Sequence, residues 1–357
     1  MSERRSVADF DKNMEVVTTI TEPDLVWLNV REAPFAIYGV TYDEKQGTFV
    51  RMPQSVADTV SDGVAILNRH TAGGRVRFIT DSSCIAIHAV MQNQSTMDHF
   101  ALTGQSGFDL YHKTEDGERY YRTFRPPVGM KEGYSSLIPT PAELSVYTIN
   151  FPLYDTVQEL YIGLKKDAVL EAAPGYANAK PAVFYGSSIT QGGCASRPGN
   201  SYEAIISRHL DLDYINLGFS GSGRAEPEIC EYIAHMDMSI FVCDYDHNAY
   251  APDHLKKTHL PLLRAVRAVQ PDLPILVISA PDSLLKPEWR YRREIIRGNV
   301  ELLQSEGDQN IYFLDGITLF EGEDWDSCSV DGCHPNDLGF WRMAQKIEPH
   351  IKRMLKI

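Results

Sequence analysis

An antiparallel β-sandwich followed by an α/β domain is the fold class this 357-residue chain predicts, on two contrasting textures and a break between them. Between Pro34 and about Leu164, runs at 35–40, 75–80, 85–90 and 144–149 are rich in β-branched and aromatic residues and separated by turn residues. Runs of that length and pattern suit the short strands of a sandwich. Residues 172–181 are rich in Ala, Pro and Gly and read as a linker, which places the domains at 1–172 and 173–357. Beyond it strands and helices alternate. Apolar runs at 182–185, 239–243, 274–278 and 310–314 read as buried strands, and helical spacing occupies 202–210, 253–270 and 338–355. Such alternation implies a parallel sheet covered on both faces.

Composition narrows the partners. A net charge of −14 argues against nucleic acid or an anionic membrane, both of which require clustered Lys and Arg. No apolar run approaches the roughly 20 residues of a membrane span. The first eleven residues lack the apolar core of a signal peptide, so a cytoplasmic protein is expected, with its six cysteines reduced.

The chemistry is concentrated at two places. Gly186-Ser187-Ser188-Ile189-Thr190-Gln191-Gly192-Gly193 follows a strand and precedes a helix, so Ser188 stands at a strand end, where a parallel sheet presents its ligand crevice. Far downstream, Asp331-Gly332-Cys333-His334-Pro335 sets a carboxylate three residues before a histidine. A histidine oriented by that carboxylate can take a proton from a serine hydroxyl and return it to a leaving group. Ser188, His334 and Asp331 are therefore the candidate nucleophile, base and orienting acid.

With both ends in view, the chain resembles the SGNH (GDSL-type) hydrolases, an esterase superfamily with four short sequence blocks. The first is Gly186-Ser187-Ser188-Ile189-Thr190, with Ser187 where the family usually has aspartate. The second is Asn216-Leu217-Gly218-Phe219-Ser220-Gly221, the third Asp246-His247-Asn248-Ala249, and the fourth Asp331 to His334. The resemblance implies an oxyanion hole from the backbone N–H groups of Ser188 and Gly221 and the side-chain amide of Asn248. Gly218 competes with Gly221 for the second position. Gly107-Phe108-Asp109-Leu110-Tyr111 further resembles the GxDLY motif of a two-part subgroup whose members look like carbohydrate O-acetyl esterases acting on plant-cell-wall mannan and xylan fragments. That likeness implies a flavodoxin-like three-layer α/β/α hydrolase domain after a jelly-roll-like β domain, a reaction needing no cofactor, and an acetylated oligosaccharide as substrate. A homo-oligomer stays open.

Around these blocks, Tyr245, Asp246, His247, Arg197 and Trp325 are candidate substrate contacts, and Arg224 could bind sugar hydroxyls or a carboxylate. Trp341, within an apolar helix, is expected in the core. Asp244, Asp246 and His247 are not expected to bind metal, since neighbours on a strand point to opposite faces and converge only if the chain turns sharply.

Overall fold

The computed structural model describes residues 16–92, 94–281 and 289–357. The first eleven residues, where no signal-peptide core is expected, lie outside them. The chain forms two compact units: one runs to Val50 and adds Arg69–Gly175 and Arg197–Gly199, and the other comprises Arg51–Asn68, Tyr176–Ser196 and Asn200–Ile357.

In chain order the elements begin with β1 (Leu25–Asn29), β2 (Ala36–Tyr38), β3 (Thr41–Asp43) and β4 (Thr48–Val50). Two short helices come next, α1 (Gln54–Val60) and α2 (Asp62–Leu67), which belong to the second unit. The first unit resumes with β5 (Arg75–Thr80), β6 (Cys84–Met91), α3 (Leu102–Gln105), β7 (Phe108–Thr114), β8 (Gly117–Phe124), β9 (Gly133–Pro139), β10 (Ser145–Asn150), β11 (Val157–Lys165) and β12 (Leu170–Glu171). Antiparallel pairing makes one sheet of order β1-β11-β6-β9 and another of order β12-β5-β10-β7-β8, with β2 also on β5. Period-two alternation drives this assembly: Ile85, Ile87, Ala89 and Met91 of β6 enter one core with Val76, Phe78, Leu110, Ile149 and Ile162. Ala86, on the opposite face, packs instead with Trp27 and Tyr161.

The second unit continues with β13 (Asn178–Gly186), α4 (Tyr202–Leu210), β14 (Leu212–Gly218), α5 (Pro227–Ala234), β15 (Ile240–Asp244), α6 (Pro252–Val269), β16 (Ile275–Ile278), α7 (Arg290–Ser305), β17 (Ile311–Leu314) and α8 (Asp337–Leu355). Its five strands are parallel, in the order β14-β13-β15-β16-β17. That is the flavodoxin-like order, which reverses direction at its first strand, β13. Helix α4 packs on α8, while α5, α6 and α7 pack in succession, giving the helical layers of a doubly wound fold.

Residues 178–181, expected as linker, are the first part of β13. The register slips between Asn178 and Ala182, and Pro181 sits in that slip, where its missing N–H removes no ladder bond. Helix α4 ends at Asp211 in left-handed backbone (φ 45°), and α8 begins at Asn336, whose side chain accepts the Gly339 N–H at 3.1 Å. Among the described residues no helix is long and apolar enough to cross a membrane. The six cysteines form no disulfide with one another.

Candidate active site

The ends of three adjacent strands carry the site. Gly186, the last residue of β13, pairs with Gly218 of β14 on one side and Asp244 of β15 on the other, so the segments beginning at Ser187, Phe219 and Tyr245 leave the sheet at one level. This is the topological switch point, where the first crossovers diverge to opposite faces and leave a crevice.

Ser188 leaves β13 on a tight turn. The Ser187 Oγ accepts the Ile189 N–H at 3.2 Å, and the carbonyls of Ser187 and Ser188 accept the N–H groups of Gln191 and Gly193 at 3.0 and 2.8 Å. Ser187 thus caps the turn from within, a task a short acceptor side chain at that position can perform. Ser188 is half-buried, and its Oγ lies 2.9 Å from His334 Nε2. His334 Nδ1 is 2.8 Å from Asp331 Oδ2, and Asp331 Oδ1 accepts the backbone N–H of His334 and of Cys333 at 2.8 and 2.9 Å. Partial burial raises the Asp331 pKa, but the hydrogen bonds from the His334 ring and from these two N–H groups outweigh it and bring the carboxyl down to about 2. The loop is anchored by the α8 cap two residues beyond His334 and by the bond from Val330 N–H to the His334 carbonyl at 2.9 Å.

Two of the expected oxyanion donors, the Gly221 N–H and the Asn248 amide, stand together, and both are occupied. Gly221, with φ +66°, donates its N–H to Asn248 Oδ1 at 3.1 Å, and Asn248 Nδ2 donates to the carbonyls of Phe219 and Gly223 at 2.8 and 3.1 Å. These three bonds fix the amide's orientation, since a flip would set two donors against each other and an oxygen against two carbonyls. The competing Gly218 N–H is held by Asn216 Oδ1 at 2.9 Å.

The first two blocks are stapled by residues whose roles the sequence did not reveal. Asn216 Nδ2 donates to the Thr190 carbonyl at 2.6 Å, and Gln191 Oε1 accepts the Ser220 N–H at 3.0 Å. Asp337 accepts both the backbone N–H (2.8 Å) and the hydroxyl (2.5 Å) of Ser196. Asn216 stands inside the second block and Gln191 directly after the first, and burial of an amide side chain in an apolar setting is the signal that would have found them.

Several expected substrate contacts are used elsewhere. Tyr245 is 1% exposed, stacks on His259 with ring centres 5.9 Å apart, and bonds Thr258 through its hydroxyl at 2.8 Å; it is a core residue. Asp246 is buried and accepts the Ala280 N–H at 2.9 Å, fastening the third block to the end of β16. His247 packs on Trp289 at 4.7 Å and is also enclosed. In the first unit, Arg197 lies 3.1 Å from the buried carboxylate of Asp109, and its guanidinium covers the Tyr120 ring at 3.8 Å. Those contacts give Arg197 a structural role. Trp325 opens a 3₁₀ turn (Trp325–Ser327) and is 37% exposed, as its acidic surroundings suggested. Trp341 is exposed on α8, where it meets His209 edge-on, because the buried stripe runs through Phe340, Met343, Ala344 and Ile347. Arg224 is exposed, with its Nε on the Gly221 carbonyl at 3.0 Å and its guanidinium 5.6 Å from the Tyr250 ring.

Asp244, Asp246 and His247 do converge, with one donor atom from each within 4.8 Å of the others, because the strand stops at Asp244 and a 3₁₀ turn starts at Asp246. Burial, then the neighbouring Asp246 charge, pushes the Asp244 carboxyl well above its ordinary pKa. Cys194, within 4.8 Å of a His334 nitrogen, is pushed up to about 12 by burial and then by the charges of Asp331 and Cys333. It stays a thiol.

Residues 179–352 match the GDSL-like lipase/acylhydrolase family, and residues 25–170 match the N-terminus of SGNH-hydrolase-type esterases, GxDLY. The chain belongs to the GDSL/SGNH esterase family. This GDSL/SGNH protein is similar in structure to a GDSL-like lipase of Bacteroides ovatus, with 29% identity and a TM-score of 0.83 over 93% of this chain and 98% of that one. It shares its fold with SsfX3, a salicylyl-acyltransferase from a tetracycline biosynthetic pathway, at 18% identity and a TM-score of 0.75, covering 93% and 98% of the two chains. An acetyl xylan esterase from Butyrivibrio proteoclasticus shares it at 13% identity and a TM-score of 0.59, covering 93% and 99%. No curated protein sequence matches this GDSL/SGNH chain.

Proposed function

We propose that the protein is a serine esterase that removes O-acetyl groups from carbohydrates, with plant-cell-wall mannan or xylan oligosaccharides as substrates. The observation that carries the reading is the continuous bonded line from Ser188 Oγ through His334 to Asp331, at 2.9 and 2.8 Å. Ser188 attacks the ester carbonyl while His334 Nε2 takes its proton. His334 then protonates the departing sugar hydroxyl, and water cleaves the acyl-enzyme by the same route. The oxyanion takes the Gly221 N–H over from Asn248 Oδ1 and one Asn248 Nδ2–H over from the Gly223 carbonyl, joined by the Ser188 N–H. In the resting site the Gly221–Asn248 bond and the amide's bonds to Phe219 and Gly223 keep those two groups in place until substrate arrives. The acetyl xylan esterase named above, and a family two carbohydrate esterase of Clostridium thermocellum with 16% identity and a TM-score of 0.58, support the sugar-ester part of the reading through a common fold. The GxDLY region of the chain supports the esterase part.

The test is acetate release from acetylated mannan and xylan oligosaccharides, with the deacetylated position read by NMR. Release that disappears in Ser188→Ala is the expected result. Faster cleavage of long-chain than of acetyl nitrophenyl esters would move the substrate to lipid or aryl esters or thioesters. Bound oligosaccharide with no release would make the protein a glycan-binding relative with an inactive site. Acyl transfer to an added alcohol in preference to water would make it a transferase.

A further inference from the structure

Residues 51–68 lie inside the GxDLY match yet belong to the compact unit that holds Ser188. They touch the loop after β14 at two points. Arg51 is buried and sends Nη1 to the carbonyls of Gly218 and Asn216 at 2.5 and 3.2 Å and Nη2 to that of Leu67 at 2.6 Å, with its guanidinium 4.5 Å from the Phe219 ring centre. Gly63, in α2, stands against Ser222: a Cβ there would come within 2.2 Å of Ser222 Oγ and 3.0 Å of its Cβ.

The peptide between Gly218 and Phe219 is thereby gripped from both sides. Its oxygen takes the Arg51 bond, and its N–H donates to the Gly186 carbonyl at 3.0 Å, two residues before the nucleophile. The Phe219 carbonyl in turn receives the Asn248 amide at 2.8 Å and the Ser222 N–H at 2.9 Å. A guanidinium is costly to bury, and it is matched here by converging carbonyl dipoles and an aromatic face, a geometry that a planar fork satisfies and an ammonium meets only in part.

We infer that Arg51, braced by the close packing of Gly63, is a positioning residue for acyl transfer: it holds the loop 218–223 so that the Gly221 N–H and the Asn248 amide meet the substrate carbonyl. The inference rests on the esterase reading of Ser188. Its test measures phosphonylation of Ser188 by a fluorophosphonate, kcat and KM on 4-nitrophenyl acetate, and the thermal midpoint, in wild type, Arg51→Gln, Arg51→Lys and Gly63→Ala. Arg51→Gln is expected to slow phosphonylation and kcat by about 10- to 100-fold, less than the outright loss of an oxyanion donor, with KM within about two-fold. Arg51→Lys recovers part of that loss. Gly63→Ala lowers kcat several-fold even though alanine favours the helix. Folded Arg51→Gln with wild-type rates overturns the inference. Should Arg51→Gln fail to fold, wild-type rates in both Arg51→Lys and Gly63→Ala overturn it equally. A wild type that is not phosphonylated at Ser188 overturns the esterase reading itself, and the inference with it.

Discussion

Asp331 holds His334 at two points, its Oδ2 at the ring Nδ1 and its Oδ1 at the backbone N–H, each at 2.8 Å. A carboxyl with a pKa of about 2 is ionised at working pH and can only accept, so the ring proton sits on Nδ1 and Nε2 is left to accept from Ser188. Asp331→Asn replaces an acceptor with an amide that also stabilises the wrong tautomer. We expect kcat on 4-nitrophenyl acetate to fall by about 10²- to 10⁴-fold with little change in KM.

The same pair sets an acid limit to stability. The folded pKa of Asp331 lies below its unfolded value, so its contribution is present above pH 4 and is lost as pH falls toward 2. In denaturation series, wild type should lose stability relative to Asp331→Asn only over that window. A difference that grows between pH 5 and 8 would contradict the assignment.

Asp155 has the opposite sign. Burial raises its carboxyl to about 6, more than the bond from the Ser95 N–H at 2.9 Å lowers it. The folded state therefore binds the proton more tightly than the unfolded chain, and stability present below pH 4 is lost as pH rises through 6. Asp155→Asn should remove that dependence and gain on the order of 2 kcal/mol at pH 7.5 relative to pH 4, read from urea unfolding at the two pH values.

Asn248→Ala removes the amide that joins Phe219, Gly221 and Gly223. Steady-state kinetics should show kcat lower by about 10²- to 10³-fold. A loss below ten-fold would mean that the backbone N–H groups carry the oxyanion alone.

Asp109 of the GxDLY motif is fully buried and accepts from Arg197, Gly199 N–H and Asn150 Nδ2 at 3.1, 2.9 and 2.8 Å. Asp109→Ala leaves a partly buried guanidinium without its carboxylate, and urea unfolding should register a loss of about 3–5 kcal/mol. Asp109→Asn keeps the hydrogen-bonding shape and should lose less.

Local pattern carried much of this architecture. The runs at 75–80 and 202–210 appear as β5 and α4 with the expected bounds, since alternation and helical spacing are properties of the segment itself. Ser188, His334 and Asp331 were recognisable because each stands in a short motif whose spacing has a chemical reason. Tyr245 was misread because a strand end cannot be assigned a face until its neighbours are known, and here they are Tyr185 and His259. Arg51 was invisible: its partners Asn216 and Gly218 lie more than 160 residues downstream, and nothing around it marks a buried cation. The linker reading of 178–181 failed because proline and alanine also suit an irregular strand start.

Met52, Ala57 and Val64 share one core with Val183, Leu217, Phe219 and Ile229. The two family segments are therefore not interchangeable cassettes. A chimera joined near residue 175 would import a foreign 51–68 beneath its own nucleophile sheet, and a fragment starting there would leave that core open to water. Recombination among relatives should succeed only where 51–68 travels with the segment from 176 onward, and substitutions at positions 63 and 222 should drift together rather than singly.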